Sequence, residues 1–180
     1  MERLINLTIE RAIRVSRLDF PVFHAIARDP NATRQAALVV AVVAMASGIG
    51  AIGDSLGAVI TAIIGAFLGW FIFSAMTWFF GRNVFGTPVT EVNIESLLRT
   101  QGYARAPGAL ALLGFIPVFG WAFVLASAVW ALVTAIIAIR ETLRISTSRA
   151  VLVAIAAAVT SAIIRIIIGI VFDVGGVVFI

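Results

Sequence analysis

Residues 106–139 read APGALALLGFIPVFGWAFVLASAVWALVTAIIAI, a run of 34 residues without a charged side chain. One continuous helix of this length would be about 51 Å long, whereas the hydrocarbon core of a bilayer is about 30 Å thick. Pro117 lies a third of the way along the run, beside Gly114 and Gly120. Because proline ends or kinks a helix, the run is predicted to form two membrane spans joined by a tight turn that includes Pro117 and Gly120.

The composition is that of a membrane protein with several spans. Of the 180 residues, 62% are apolar, and the mean hydropathy is +1.12, both far from the values of a soluble domain. Cysteine is absent, which excludes a disulfide framework, a thiol nucleophile and a thiolate metal site. The net charge of +4 is explained by arginines at the cytoplasmic membrane face, so no nucleic-acid partner is predicted.

The chain is predicted to be an all-α integral membrane protein, with five transmembrane helices in one bundle after a short cytoplasmic arm, residues 1–34. In this arm Leu4, Ile5, Ile9 and Ile13 recur at helical spacing, and charged residues occupy the other face. The arm either lies in the interface plane of the membrane or packs on the cytoplasmic ends of the bundle. The five spans are predicted at residues 35–53, 56–80, 103–116, 120–139 and 150–172.

The arginines favour five spans over four. With five spans, residues 1–34, 81–105 and 140–149 lie on one side and carry six, three and three arginines, while the other side carries none. With four spans, the last of these loops would fall outside, against the tendency of arginine to remain in the cytoplasm. The localisation predicted is therefore the cell membrane, with a cytoplasmic N-terminus and an external C-terminus.

Small residues recur at every fourth position across the first two spans. They are Gly53, Gly57, Thr61, Gly65 and Gly69. This spacing lets helix backbones approach closely in lipid, and packing within the bundle is favoured over a dimer interface. Beyond them, Trp70 and Trp78 are interpreted as part of an interfacial aromatic belt. In the loop that follows, Thr90 or Asn93 is expected to cap a short helix.

The sequence offers little chemistry, and no catalytic, cofactor-binding or metal site is predicted. Arg165 is the exception, because a charge within a span is a functional candidate by default. It either pairs with Asp54 or Asp173, which are expected on the same side of the membrane, or extends to the interface. His24 is the only histidine and has no evident acidic partner, and Glu141 is expected to pair locally with a neighbouring arginine.

Four segments resemble prokaryotic members of the Yip-domain family, which are related to the eukaryotic Ypt/Rab-interacting proteins. They are LDFPVFHAIARDPNATRQAALVV (18–40), ASGIG (46–50), LLRTQGYARAPGALALLGFIPVFG (97–120) and AVWALVTAIIAIRETLRISTSRA (128–150). The resemblance implies a five-span fold and, in eukaryotic relatives, membrane traffic, binding to prenylated small GTPases and membrane shaping. The N-terminal arm of this chain is short beside the long soluble region of those relatives, which weakens the case for small-GTPase binding.

Two functional classes follow from these observations. The first is a non-enzymatic Yip-type membrane protein that acts through the lipid bilayer and through membrane-protein partners or a homo-oligomer, in membrane organisation or trafficking-like scaffolding. The second is a small oligomeric transporter or channel, towards which only Pro117 and Arg165 point. An accessory subunit of a larger membrane complex is a third reading.

Overall fold

A computed structural model of the protein describes residues 2–50, 56–86 and 92–172, and every regular element in these ranges is a helix. The helices are α1 (Glu2–Ser16), α2 (Phe20–Arg28), α3 (Ala32–Gly50), α4 (Leu56–Asn83), α5 (Ile94–Ala104), α6 (Gly120–Leu143) and α7 (Thr147–Phe172), with a 3₁₀ segment (Ala106–Phe115) between α5 and α6. The predicted all-helical class is confirmed. Three residues singled out above, Gly53, Asp54 and Asp173, lie outside the described residues.

Three helices are long and apolar enough to cross a membrane. They comprise Ile63–Asn83 in α4, Gly120–Leu143 in α6 and Thr147–Val171 in α7. The apolar part of α3, Ala32–Ser47, is shorter. The predicted count of five spans therefore stays a prediction.

The region predicted as the third span has an unusual form. It contains the end of α5 and the 3₁₀ segment, whose ten residues extend over about 20 Å at the 3₁₀ rise. This length is less than the thickness of the hydrocarbon core. The segment packs against both α3 and α6, but Pro107 is its only buried residue, so it lies along these two helices with much of its apolar surface exposed.

The chain reverses direction at Pro117 to enter α6. Val118 adopts a φ of 71°, and the backbone N–H of Gly120 donates to the carbonyl of Ile116 at 2.8 Å. A Cβ atom at position 120 would collide with the carbonyl oxygen of Gly114. Glycine is therefore required where α6 begins, because the preceding turn folds back against its first residue.

The short helix α5 lies at the centre of the bundle and contacts α1, α2, α3, α4 and α6. Asn93 caps it by accepting a hydrogen bond from the Ser96 backbone N–H at 2.9 Å, as one of the two predicted caps. Leu97 and all residues from 99 to 104 are buried. A short helix was predicted in this loop, but its burial at the centre of the bundle was not.

The prediction of Trp70 as an interfacial anchor is wrong. Trp70 is buried in the core, and its indole N–H donates to the carbonyl of Leu98 at 2.9 Å. Trp78 makes the corresponding bond to the carbonyl of Val92, at 3.0 Å. Both tryptophans therefore face α5 or the residues just before it. Helix α5 packs against α4, and this part of the chain supplies carbonyl acceptors that a lipid-facing surface lacks.

The N-terminal arm divides into two parts with different surroundings. In α2, Val22, Phe23 and Ile26 are buried in the main hydrophobic cluster. In α1, by contrast, Ile5 and Ile9 are among the large apolar side chains that remain exposed. The second half of the arm therefore packs on the bundle, while the first half leaves an apolar face uncovered.

A polar network fastens the arm to α3 and α5. Arg11 donates to Asp29 at 2.7 Å and to Gln35 at 2.9 Å, and the Tyr103 hydroxyl donates to the same Gln35 oxygen at 2.6 Å. Burial disfavours the Asp29 carboxylate, but hydrogen bonds from Arg11 and from the backbone of Asn31 outweigh burial and hold the pKa of Asp29 below its usual value. Asp29 is therefore ionised at neutral pH and pairs with Arg11.

We predict that Gly102→Ala lowers the thermal unfolding midpoint of the protein in detergent. An added Cβ would lie 2.7 Å from the Ala36 Cβ and 3.2 Å from Cζ2 of Trp70, so α3 or α4 must move away from α5. Without such contacts, alanine would stabilise the helix by about 1 kcal/mol relative to glycine, so the direction of the change is decisive. Ala126→Val, on an exposed part of α6, is the control with no expected change. An equal or higher midpoint for Gly102→Ala would contradict the close approach.

Candidate functional site

Arg165 is the charged residue that was singled out within a predicted span. Its side chain extends from α7 towards α4. Its Nη1 atom lies 3.5 Å from the point that a Cβ atom of Gly69 would occupy. Its Nε atom is buried and has no hydrogen-bond partner among the described residues. The guanidinium group therefore lies against α4 at a position without a side chain.

A second arginine reaches the same place. Arg105, the residue that links α5 to the 3₁₀ segment, has its Nη2 atom 3.9 Å from the same Cβ point of Gly69. The Nη1 atom of Arg165 and the Nη2 atom of Arg105 are therefore separated by no more than the sum of their distances to this Cβ point. We call Gly69, Arg105 and Arg165 the arginine pair site.

The electrostatics of the arginine pair site are unfavourable unless an anion or water is present. Two unit charges at this separation repel by about 2 kcal/mol at an effective dielectric constant of about 20. Among the described residues, neither arginine forms an ion pair with a carboxylate. Asp54 and Asp173, the partners proposed from the sequence, lie outside the described residues, so their pairing with Arg165 stays a prediction.

Buried hydroxyl groups without partners lie on the same two helices. They are Ser74 and Thr77 of α4 and Ser161 of α7, whose hydroxyl oxygens are buried and have no hydrogen-bond partner in residues 2–50, 56–86 and 92–172. Helices α4 and α7 pack against one another, and Ser161 is one helical turn before Arg165. A buried hydroxyl without a partner costs about 1–3 kcal/mol, so such groups usually mark bound water or an ion.

A third polar cluster lies at the C-terminal end of α6. It shows that His24 has an acidic partner, which was not predicted. The Nε2 atom of His24 lies 2.9 Å from Glu141, which also pairs with Arg140 at 2.6 Å. The expected local pair between Glu141 and an arginine is present, but the histidine partner was missed. Residues 24 and 141 are far apart in the chain, so no local pattern could have indicated their contact.

Of the two arginines of the arginine pair site, Arg165 was predicted as a candidate site residue and Arg105 was not. Arg105 was counted with the arginines of the cytoplasmic face, whereas the structure directs it into the bundle. The available signal was its position, immediately before the uncharged run at residues 106–139. Of the small residues interpreted as packing positions, Gly65 is buried in α4 and Gly57 lies near its first turn, but Gly69 faces the two guanidinium groups.

We predict that Arg105→Gln and Arg165→Gln have non-additive effects on stability in lipid nanodiscs. If mutual repulsion dominates, each single change relieves the same interaction, so the double variant gains less than the sum, by about 1 kcal/mol or more. If Asp54 or Asp173 supplies a counter-charge, its replacement by asparagine is destabilising in the wild type and much less so with Arg165→Gln. Additive unfolding free energies in every combination would show that the arginines act independently.

Comparison with known proteins identifies the family. The family model described as Yip1 domain matches residues 19–170, which extends from the end of α1 almost to the end of α7. No curated protein and no solved structure matches the chain. Since the matched residues include nearly all of the helical bundle, the chain belongs to the Yip1 domain family of membrane proteins.

Proposed function

We propose that this protein acts in the membrane without enzymatic chemistry, by engaging the bilayer and membrane-protein partners in membrane organisation or trafficking-like scaffolding. One observation carries the proposal: α1 packs on the bundle through Val15 and Arg11, while the row of Ile5, Ile9 and Ile13 on another side remains exposed. A helix with an exposed apolar row of this kind contacts lipid through that side.

Five large apolar side chains of α1 are exposed: Leu4, Ile5, Leu7, Ile9 and Ile13, which are between 38 and 51% exposed. Ile5, Ile9 and Ile13 are spaced by one helical turn and therefore lie in a row. In an aqueous environment a row of this kind would be an aggregation liability, so contact with lipid explains it better than contact with water.

Besides the burial of Val15 in the core cluster, two polar contacts hold α1 in place beside the bundle. Arg11 joins its polar face to Asp29 and Gln35. At its C-terminal end, the Trp130 indole N–H of α6 donates to the Ser16 carbonyl at 2.9 Å. The face is thus presented in a fixed direction by the bundle, as is needed for a helix that acts on the surrounding bilayer.

The bulk of the arginines lie on the elements at one end of the bundle, which we propose is the cytoplasmic end at the cell membrane. The positive-inside tendency supports this orientation. The opposite end carries exposed aromatic side chains at the turn into α6, Phe115, Phe119 and Trp121. Aromatic rings are favoured at the membrane interface, so they support a position at the external boundary.

We predict different surroundings for probes on the two faces of α1. Because the chain has no cysteine, Ile9→Cys and the control Glu10→Cys each give one labelling site. A fluorophore at position 9 should be quenched by lipid-borne quenchers, and one at position 10 by aqueous iodide. Position 10 should react with an impermeant maleimide only in permeabilised cells. Equal quenching of both labels by iodide would contradict lipid contact, and labelling of position 10 in intact cells would contradict the orientation.

The arginine pair site favours a second candidate function, that of a small oligomeric transporter or channel for anions. Two guanidinium groups meet at Gly69, and helices α4 and α7 carry three buried hydroxyls without partners among the described residues; these groups offer donors within a predicted membrane region. Intramembrane arginines often mark the path or binding position of an anionic substrate. The shortened 3₁₀ segment beside them resembles the interrupted helices that form transporter sites.

This second function predicts an anion flux that depends on Arg105. Proteoliposomes loaded with chloride or phosphate should release the anion faster than protein-free vesicles, and Arg105→Gln should reduce the excess rate by at least about tenfold, because a charged donor is lost. Arg82→Gln, on an exposed residue near the end of α4, is the matched control. A flux that is absent, or equal in all three proteins, would leave the non-enzymatic scaffold as the better reading. A stoichiometric partner retained through mild purification would instead indicate an accessory subunit.

A further inference from the structure

An open pocket of about 490 Å³ lies where α2 meets the end of α6. Six residues line it: His24, Arg28, Arg140, Glu141, Arg144 and Ile145. Three arginines and one glutamate give the pocket a formal charge of +2 with the histidine neutral. The pocket lies on different elements from the arginine pair site, and neither of the functions proposed above uses it.

The single carboxylate in the pocket is already neutralised. Glu141, whose side chain is 14% exposed, pairs with Arg140 at 2.6 Å and with His24 at 2.9 Å. The Arg140 guanidinium also lies over the ring of Phe20, 4.8 Å from its centroid, which fixes its plane. Arg28 and Arg144 are exposed and make no hydrogen bond or ion pair within the described part of the chain. The pocket therefore presents two unused guanidinium groups around a fixed third one.

The pocket lies at the level of lipid headgroups. Twenty residues separate Gly120 from Arg140 along α6, a distance of about 30 Å in a helix, which equals the thickness of the hydrocarbon core. The exposed aromatic rings of Phe119 and Trp121 lie at the far end of this distance. If those rings lie at one interface, Arg140 and its pocket lie at the other.

The backbone at Arg144 directs the chain out of α6 and around the pocket. Arg144 is the C-cap of α6 and has a φ of 53° and a ψ of 44°, a left-handed conformation that is unfavourable for arginine. Glycine or asparagine is the usual choice at such a position. An arginine here accepts a conformational penalty and places a cation at the rim of the pocket.

We propose that this pocket binds the phosphate monoester headgroup of an anionic phospholipid. A phosphate monoester carries a charge between −1 and −2 at neutral pH and three free acceptor oxygens, and thus engages several guanidinium groups at once. A phosphodiester headgroup has one charge and two free oxygens, so it is a poorer match. Basic pockets between membrane helices are known positions for lipid headgroups. The proposal rests on the pocket and on the membrane position of α6 given under the proposed function, but it is independent of the lipid contact of α1.

The test measures lipid binding by the full-length protein in a neutral detergent, by native mass spectrometry. The probes are dioctanoyl phosphatidic acid, which has a phosphate monoester, dioctanoyl phosphatidylglycerol, which is anionic but a diester, and inorganic phosphate as a competitor. The variant pair is Arg28→Gln with Arg144→Asn, since asparagine tolerates the left-handed backbone. The matched control is Arg17→Gln with Arg34→Gln, which removes the same charge from exposed positions outside the pocket.

The expected result is preferential binding of phosphatidic acid, weakened at least about tenfold in the pocket variant and less than about twofold in the control. Inorganic phosphate should compete only at far higher concentration, because it lacks the acyl chains that hold the headgroup at this level. An equal loss in both variants, or equal binding of the two lipids, would overturn the proposal in favour of unspecific surface charge. Competition by inorganic phosphate at lipid concentrations would identify a site for the free anion and overturn the lipid assignment.

Discussion

The bundle depends on the requirement that the buried polar groups of α5 be hydrogen bonded. Tyr103 donates to Gln35 of α3, Gln101 donates to the carbonyl of Ala135 in α6 at 3.3 Å, and the hydroxyls of Thr100 and Thr142 meet at 3.0 Å. In a medium without water, the loss of one partner leaves the other unsatisfied, at a cost of about 1–3 kcal/mol. The bond from Tyr103 joins α5 to α3, and the bonds of Gln101 and Thr100 join it to two different turns of α6. Together these bonds define the relative depth of the three helices. Apolar packing alone would leave this register less specific.

Arg99, which is also buried, extends the same principle to α2. Its guanidinium donates to Thr33 of α3, to the carbonyl of Ala27 at the end of α2, and to Glu95 of α5 itself. One side chain therefore satisfies three acceptors and brings three helices together. The planar arrangement of its donors makes arginine suited to this role, which a lysine would not fill. With the Arg11 network, it explains why α2 is fixed on the bundle although it lies outside the long apolar helices.

The sequence predicted the helical class, the apolar helices and the Asn93 cap because each depends on local pattern. Hydropathy and caps are properties of neighbouring residues. The central position of α5 could not be predicted in this way, since its buried residues include Arg99, Gln101 and Tyr103, which hydropathy assigns to a surface. The contact between His24 and Glu141 likewise joins residues far apart in the chain. Arg105 was missed because a charge beside an apolar run is usually found at the membrane surface, and only the tertiary packing shows that this one points inward.

Gly69 shows how a small residue in a membrane helix serves a purpose other than helix contact. The repeated glycines of α4 suggest a groove for a neighbouring backbone. In the structure, the nearest described atoms to a Cβ at Gly69 are the nitrogen atoms of Arg165 and Arg105, so the groove accommodates guanidinium groups at this point. A larger side chain would force one arginine away from the other. A Cβ atom alone would make ordinary van der Waals contacts with these nitrogens, so the constraint at position 69 is on side chains larger than alanine. The contrast with α5 is direct: the polar side chains of α5 are hydrogen bonded to neighbouring helices, whereas the Nε atom of Arg165 is buried without a partner among the described residues.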